Sequence, residues 1–250
     1  MARYQIILAY DGTLFWGSQR QATTRTVQGE LEKALRKIGW DQKAVTLAGR
    51  TDTGTHASGQ VAAFDLDWGH DVEALQKALN SHLPHDLAVR EARQVIDTFH
   101  PRFDARSRCY CYSLFCDSVR DPLRERYAWR LWPAIIDLAP LAEIWCGTHD
   151  FAAFGTPTHK AGSTVRTVFS AEWTNRGDEW TFEIRADAFL YRMVRRLVYV
   201  QVAVGQGRLP AETLVRALER TIGNKEPIPA GLAPASGLTL VDVCYDDLVE

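Results

Sequence analysis

The chain has 250 residues, 46% of them apolar and 24% charged, with a net charge of −2. That length suits one large domain or two of ordinary size, and the longest apolar runs fall well short of a membrane span. The near-neutral total does not announce a nucleic-acid binder, but the distribution leaves room for one: positive charge is carried by 23 Arg against 6 Lys. Arg102, Arg106 and Arg108 face only Asp104, and Arg192, Arg195 and Arg196 have no acid among them. Asp242, Asp246, Asp247 and Glu250 form an acidic end, so a neutral sum can hide a basic face. Scattered surface charge is the plainer reading of the same residues. The start, MARYQIILAYDG, lacks the long apolar stretch and cleavage site of a signal peptide. Five cysteines make an odd count for a disulfide framework. Buried thiols in a cytoplasmic protein are the expectation.

In chain order, residues 4–10 (YQIILAY) form a strand that Asp11-Gly12 ends. Thr26 caps a helix in which Val27, Leu31, Ala34, Leu35 and Ile38 keep helical spacing. Residues 44–49 and 60–66 read as strands, Asp71 caps a helix with Leu75, Leu79 and Leu83 on one face, and residues 87–96 read as a strand. The order β-α-β-β-α-β then recurs: strand 109–115, helix 138–146, strands 167–173 and 179–187 about the turn 174–178, helix 190–204, an extra helix 210–220, and, after a Pro/Gly-rich loop from Pro227 to Gly237, a closing strand LTLVDVCY. The expectation is an α+β protein of two ferredoxin-like halves, 1–105 and 106–250, whose mainly antiparallel strands make one extended sheet with helices on one face and a cleft between the halves. The apolar stretch within 126–146 suits either core or an interface.

Between two of these strands lies AGRTDTGTHASGQ, residues 48–60. Asp52-Thr53-Gly54 is the triplet of aspartic-protease loops, and it is also three turn residues in a row. A protease needs two such carboxylates sharing a proton, and the chain has one, so only a homodimer would serve. Arg50 argues against a shared proton: two residues away on an extended strand, it would lie beside Asp52 and hold it ionised. A lone ionised carboxylate is a nucleophile or a base.

RTDTGTHASGQVAAF closely resembles the Arg-Thr-Asp-Ala-Gly-Val-His-Ala-x-Gly-Gln-Val motif of the tRNA pseudouridine synthase A family. YDGTLFWGSQRQ (10–21), FHPRFDARSRCYCY (99–112), AFLYRMVRRLV (188–198) and APASGLTLVDVCY (233–245) resemble further segments of that family, in order along the chain. There are departures: Thr53 and Thr55 stand for the usual Ala and Val, Ser18 for a Trp, and Tyr199 for a common helix glycine. The resemblance implies isomerisation of uridine to pseudouridine at positions 38, 39 and 40 of the tRNA anticodon stem-loop, by a homodimer and without a cofactor or metal. It implies that Asp52 is the catalytic carboxylate, acting at the ribose, and that Tyr110 stacks on the extruded uracil. It also implies that Arg195 pairs with Asp52 across the cleft.

Arg50 would orient the loop or touch RNA. Arg102, Arg106, Arg108, Arg192 and Arg196 are candidates for tRNA phosphates, which position RNA without reading its sequence. Tyr112 shares a strand face with Tyr110 and suits plain sheet packing. Cys109-x-Cys111 with Cys116 looks like part of a zinc site, but no His pair has convincing spacing; His82-x-x-His85 sits at a Pro turn. A non-catalytic RNA-binding module is the alternative from another class, and a dimeric aspartic protease the remote one.

Overall fold

A computed structural model describes residues 1–135, 137–158, 162–219 and 228–246; Pro227, Asp247 and Glu250, named above, lie outside them. The architecture is α+β, in two compact units: Met1–Arg106 with Thr239–Glu250, and Ser107–Leu238.

The first unit begins with β1 (Ala2–Tyr10), followed by α1 (Val27–Lys37), β2 (Thr46–Leu47), β3 (His56–Leu66), α2 (Val72–His82) and β4 (Leu87–Val95). This is the expected β-α-β-β-α-β order. Strand β1 is central, antiparallel to both β3 and β4. On the far edge of β3, β2 pairs antiparallel at Ala62 and Ala63, while β10 (Leu238–Cys244) runs parallel beside its start, with Thr239 opposite His56.

Each helix starts where a side chain takes over an orphan amide. Thr26 Oγ1 accepts from Gly29 N at 3.2 Å, and Asp71 Oδ1 from Ala74 N at 2.6 Å. The helices bury Leu31, Leu35, Leu75 and Leu79 completely, with Ile6 and Leu8 of β1. Glu32 is also fully buried on α1. Its carboxylate accepts from Arg20, from Gln28 and from Val45 N (3.2 Å), so the buried charge is paired and ties the helix to the segment entering β2.

The second unit holds β5 (Ser107–Cys116), β6 (Trp129–Leu131), β7 (Gly147–Asp150), β8 (Val165–Arg176), β9 (Glu179–Ala186), α3 (Met193–Gly205) and α4 (Glu212–Leu218). Its strands run in the order β5-β9-β8-β7, antiparallel throughout, with β6 parallel to β5. The β8–β9 hairpin closes on Gly177 and Asp178. Helix α3 is apolar almost all round and correspondingly buried; on it, Gln201 Oε1 accepts from the Trp173 indole N–H at 2.8 Å.

Three expectations needed correction. Residues 138–146 form two 3₁₀ turns, Ala139–Leu141 and Glu143–Trp145, and not an α-helix: Pro140 supplies no amide, and the apolar spacing only seats Leu138, Leu141 and Trp145 in the core. Helix α3 starts at Met193 and not at Leu190, because Arg192 takes the left-handed conformation at φ 63°. The C-terminal strand, expected to close the second half, lies from Thr239 onward with the first unit. The 126–146 stretch is divided: Leu131, Leu138, Leu141 and Trp145 are core, while Tyr127 and Trp132 are exposed.

Candidate active site

The Asp52 loop spans the gap between β2 and β3. Strand β2 ends at Leu47, and β3 begins at His56, four residues earlier than its apolar run suggests. Extended-strand pairing of Arg50 with Asp52 therefore does not apply, although burial alternates: Arg50 is exposed, Thr51 buried, Asp52 half-buried. Thr55 N donates to Asp52 O at 3.1 Å, and Gly54 sits at φ 80°. That is the geometry in which glycine at the third turn position is required. The triplet is thus a true tight turn, with a carboxylate at its first position.

Thr51 fixes this turn. Its N–H donates to Ser18 Oγ at 2.8 Å, and its carbonyl accepts from Ser18 N at 3.1 Å. Its hydroxyl lies 2.9 Å from the Tyr10 phenol. Gln60 Nε2 reaches Tyr10 Oη at 3.4 Å and Gly49 O at 2.9 Å. Burial pushes the Tyr10 hydroxyl up to about 12, so it remains a protonated donor. The turn after β1 presses directly on the loop. A Cβ at Gly12 would lie 2.1 Å from Thr55 O, so only glycine permits the approach, and Gly54 N donates to Phe15 O at 3.3 Å. Beside it, Gly12 N donates to His56 Nδ1 at 3.0 Å.

The turn is itself anchored from behind. Arg25 forks onto both carboxylate oxygens of Asp86 at 2.7 Å and lies 4.2 Å from the Phe15 ring centroid. Asp11 N donates to Asp86 O at 3.0 Å. The Arg25 guanidinium holds the Asp86 carboxyl below the usual carboxylate range.

In the second unit, Tyr110 on β5 is half-buried, with its ring edge-on to Phe189 at 5.1 Å. Tyr112 is fully buried, as sheet packing predicts, and donates to Pro234 O at 2.8 Å. Arg195 Nε donates to Ala233 O at 2.8 Å, and Ala233 N to Arg195 O at 3.2 Å. Burial raises the Tyr112 hydroxyl well above its usual range, while the Arg195 charge pulls it the other way. Arg196 donates to Gly231 O at 2.8 Å and Ile228 O at 3.2 Å. Segment 228–234 is therefore strapped to α3 by two adjacent arginines and to β5 by Tyr112. Tyr199 packs against it so tightly that a Cβ at Gly231 would lie 2.2 Å from the ring.

The remaining arginines are dispersed in role. Arg102 is half-buried, its guanidinium 5.8 Å from the Phe103 ring centroid. Arg106 is exposed and ion-paired with Asp246, Nε–Oδ2 2.7 Å, which raises its pKa. Arg108 donates to Asp187 O at 2.8 Å, and Arg192 is exposed. Burial pushes the Cys111 thiol up. Among the described residues, no group of three or more His, Cys, Asp or Glu stands close enough to hold a metal ion, and no helix is long and apolar enough to cross a membrane. Sequence reasoning missed Tyr10, Ser18, Gln60 and the Arg25–Asp86 pair. Their partners lie tens of residues away, and no local pattern marks them.

A family model described as tRNA pseudouridine synthase matches residues 6–104 and 141–246, which places the chain in that class. A protein named tRNA pseudouridine synthase A from Chloroflexus aurantiacus is 39% identical over 255 residues, covering 98% of this chain and 89% of the relative. Namesakes from Geobacter sp. (strain M21) and Methylacidiphilum infernorum are 38% and 41% identical, covering 99% and 97% of this chain and 100% and 95% of their own. The chain belongs to the tRNA pseudouridine synthase A family. Likeness to the solved archaeal box H/ACA sRNP Nop10-Cbf5 complex, at 10% identity, TM-score 0.35 and 77% and 44% coverage, carries no weight in that assignment.

Proposed function

We propose that this chain isomerises uridine to pseudouridine in tRNA, at positions 38, 39 and 40 of the anticodon stem-loop, as a cytoplasmic homodimer. In the reaction the N1–C1′ bond breaks, the base turns, and C5 bonds to C1′. The C5 hydrogen leaves to water as N1 takes up a proton, so no redox partner or group donor enters. Asp52 acts at the ribose. Tyr110 stacks on the extruded uracil and Arg195 serves the reacting carboxylate. Arg50, Arg102, Arg106, Arg108, Arg192 and Arg196 contact the RNA. The observation that carries this reading is the Asp52 turn: its neighbour Thr51 is buried and bonded on three sides, while the carboxylate-bearing residue itself stays half-exposed. A structural Asx turn has no need of such support; a reacting group held in one geometry does.

Asp52→Asn removes the charge and leaves the turn's backbone bonds. With unmodified tRNA, turnover is expected to fall at least about a hundredfold, with melting temperature and tRNA affinity kept. Near-wild-type turnover in a rigorously pure variant would remove Asp52 from the chemistry.

A further inference from the structure

A surface cavity of about 340 Å³ opens in the second unit, between Phe154, Gly155 and Thr156 on one side and Tyr191, Arg192 and Arg196 on the other. It is near the small end of ligand-pocket sizes, about 300–1,000 Å³, so it suits a single nucleotide. Neither Tyr110 nor Arg195 lines it. The walls are pinned together by Tyr191 N donating to Thr156 O at 2.9 Å, so the cavity is preformed.

Its chemistry is one-sided. Two arginines line it and, among the described residues, no carboxylate does; Asp150 accepts from Ala152 N at 3.0 Å. Arg196 is bonded to two neutral carbonyls, Gly231 O and Ile228 O, and burial lowers its pKa, opposed by the Tyr199 hydroxyl. A partly desolvated cation whose hydrogen bonds go to neutral carbonyls gains from an anion. Arg192 is the one non-glycine residue with positive φ among the described residues. Strained backbone of this kind collects where a side chain is being aimed. Here it sets the Arg192 guanidinium 4.7 Å from the Tyr191 ring centroid, and that ring is exposed.

We propose that this cavity is a nucleotide subsite for RNA, in which Arg192 and Arg196 hold one phosphodiester and Tyr191 stacks on the attached base. It rests on the tRNA reading above and gives two of its arginines a shared task. Phosphate binding is ionic and screened by salt, whereas stacking is not, so the two halves of the subsite separate experimentally.

Labelled tRNA is titrated by anisotropy across a potassium chloride series against wild type, Arg192→Asn and Tyr191→Leu. Both positions are exposed, and asparagine accepts the left-handed backbone, so melting temperatures should hold. Arg192→Asn should flatten the slope of log Kd against log salt by about one unit. Tyr191→Leu should weaken binding roughly fivefold or more at every salt and keep the slope. An unchanged slope in Arg192→Asn overturns the phosphate assignment. Wild-type affinity in Tyr191→Leu reduces the cavity to an anion site that reads no base, and also overturns the proposal. Pseudouridine formation by wild type is scored on the same tRNA. An inactive wild type sinks the synthase reading and leaves these slopes to judge the subsite; an active one whose variants bind normally sinks the subsite alone.

Discussion

Ser18 shows how one hydroxyl can stand behind the Asp52 loop. It occupies a place where the family usually carries tryptophan, and it is fully buried, which rules it out as an RNA contact. The tryptophan of this turn is Trp16 instead, and it is exposed. Removing the Ser18 hydroxyl leaves the Thr51 N–H buried without its acceptor, at a cost of about 1–3 kcal/mol. It also frees the residue next to Asp52, and if Asp52 reacts as proposed, a small displacement of it is costly in rate. Ser18→Ala should therefore lower kcat about tenfold or more while KM for tRNA changes little, with a modest fall in melting temperature. Wild-type kcat alongside that loss of stability would make Ser18 a packing residue only. Asp52 and the turn around it were legible from the triplet and its flanking motif. Ser18 and Tyr10 were not, because their bonds to Thr51 join positions 33 and 41 residues apart.

At the scale of elements, helices α1 and α2 were readable because capping residue and apolar spacing agree. The stretch 138–146 misled because its apolar spacing reports burial without the amide that Pro140 lacks. Helix α3 began late because a left-handed residue leaves no periodic trace. The turn after β1 draws its rigidity from Arg25 and Asp86, 61 residues apart. Asp86 has its pKa depressed by Arg25, so its contribution to stability is present above the unfolded carboxylate pKa, about 3.9, and is lost as pH falls through the lower folded value. Asp86→Asn should be destabilised by about 1 kcal/mol at pH 7, and the gap from wild type should close below about pH 4. Thermal melts across pH check this. A gap that stays constant into acid would assign the effect to shape and not to charge.

For the whole molecule, the β-α-β-β-α-β order of the first unit was visible in sequence, but the 3₁₀ turns in place of the second unit's first helix and the destination of the last strand were not. Residues after Thr239 carry a strand signal, and nothing in that signal says which unit they join. Net charge was equally opaque: Asp246 answers Arg106 across 140 residues, while Arg196 of the cavity donates to two neutral carbonyls and Arg192 lies over the Tyr191 ring. Binding by such patches should weaken as salt rises. The central claim is that this protein moves the glycosidic bond of a tRNA uridine from N1 to C5, which changes no mass but must expel the C5 hydrogen. The most direct measurement is tritium release from transcribed tRNA labelled at uridine C5. Tritium should appear in solvent in step with pseudouridine formed, without added nucleotide or reductant and in the presence of EDTA. No release from several tRNAs that carry uridine in the anticodon arm, with well-folded protein, would contradict the account.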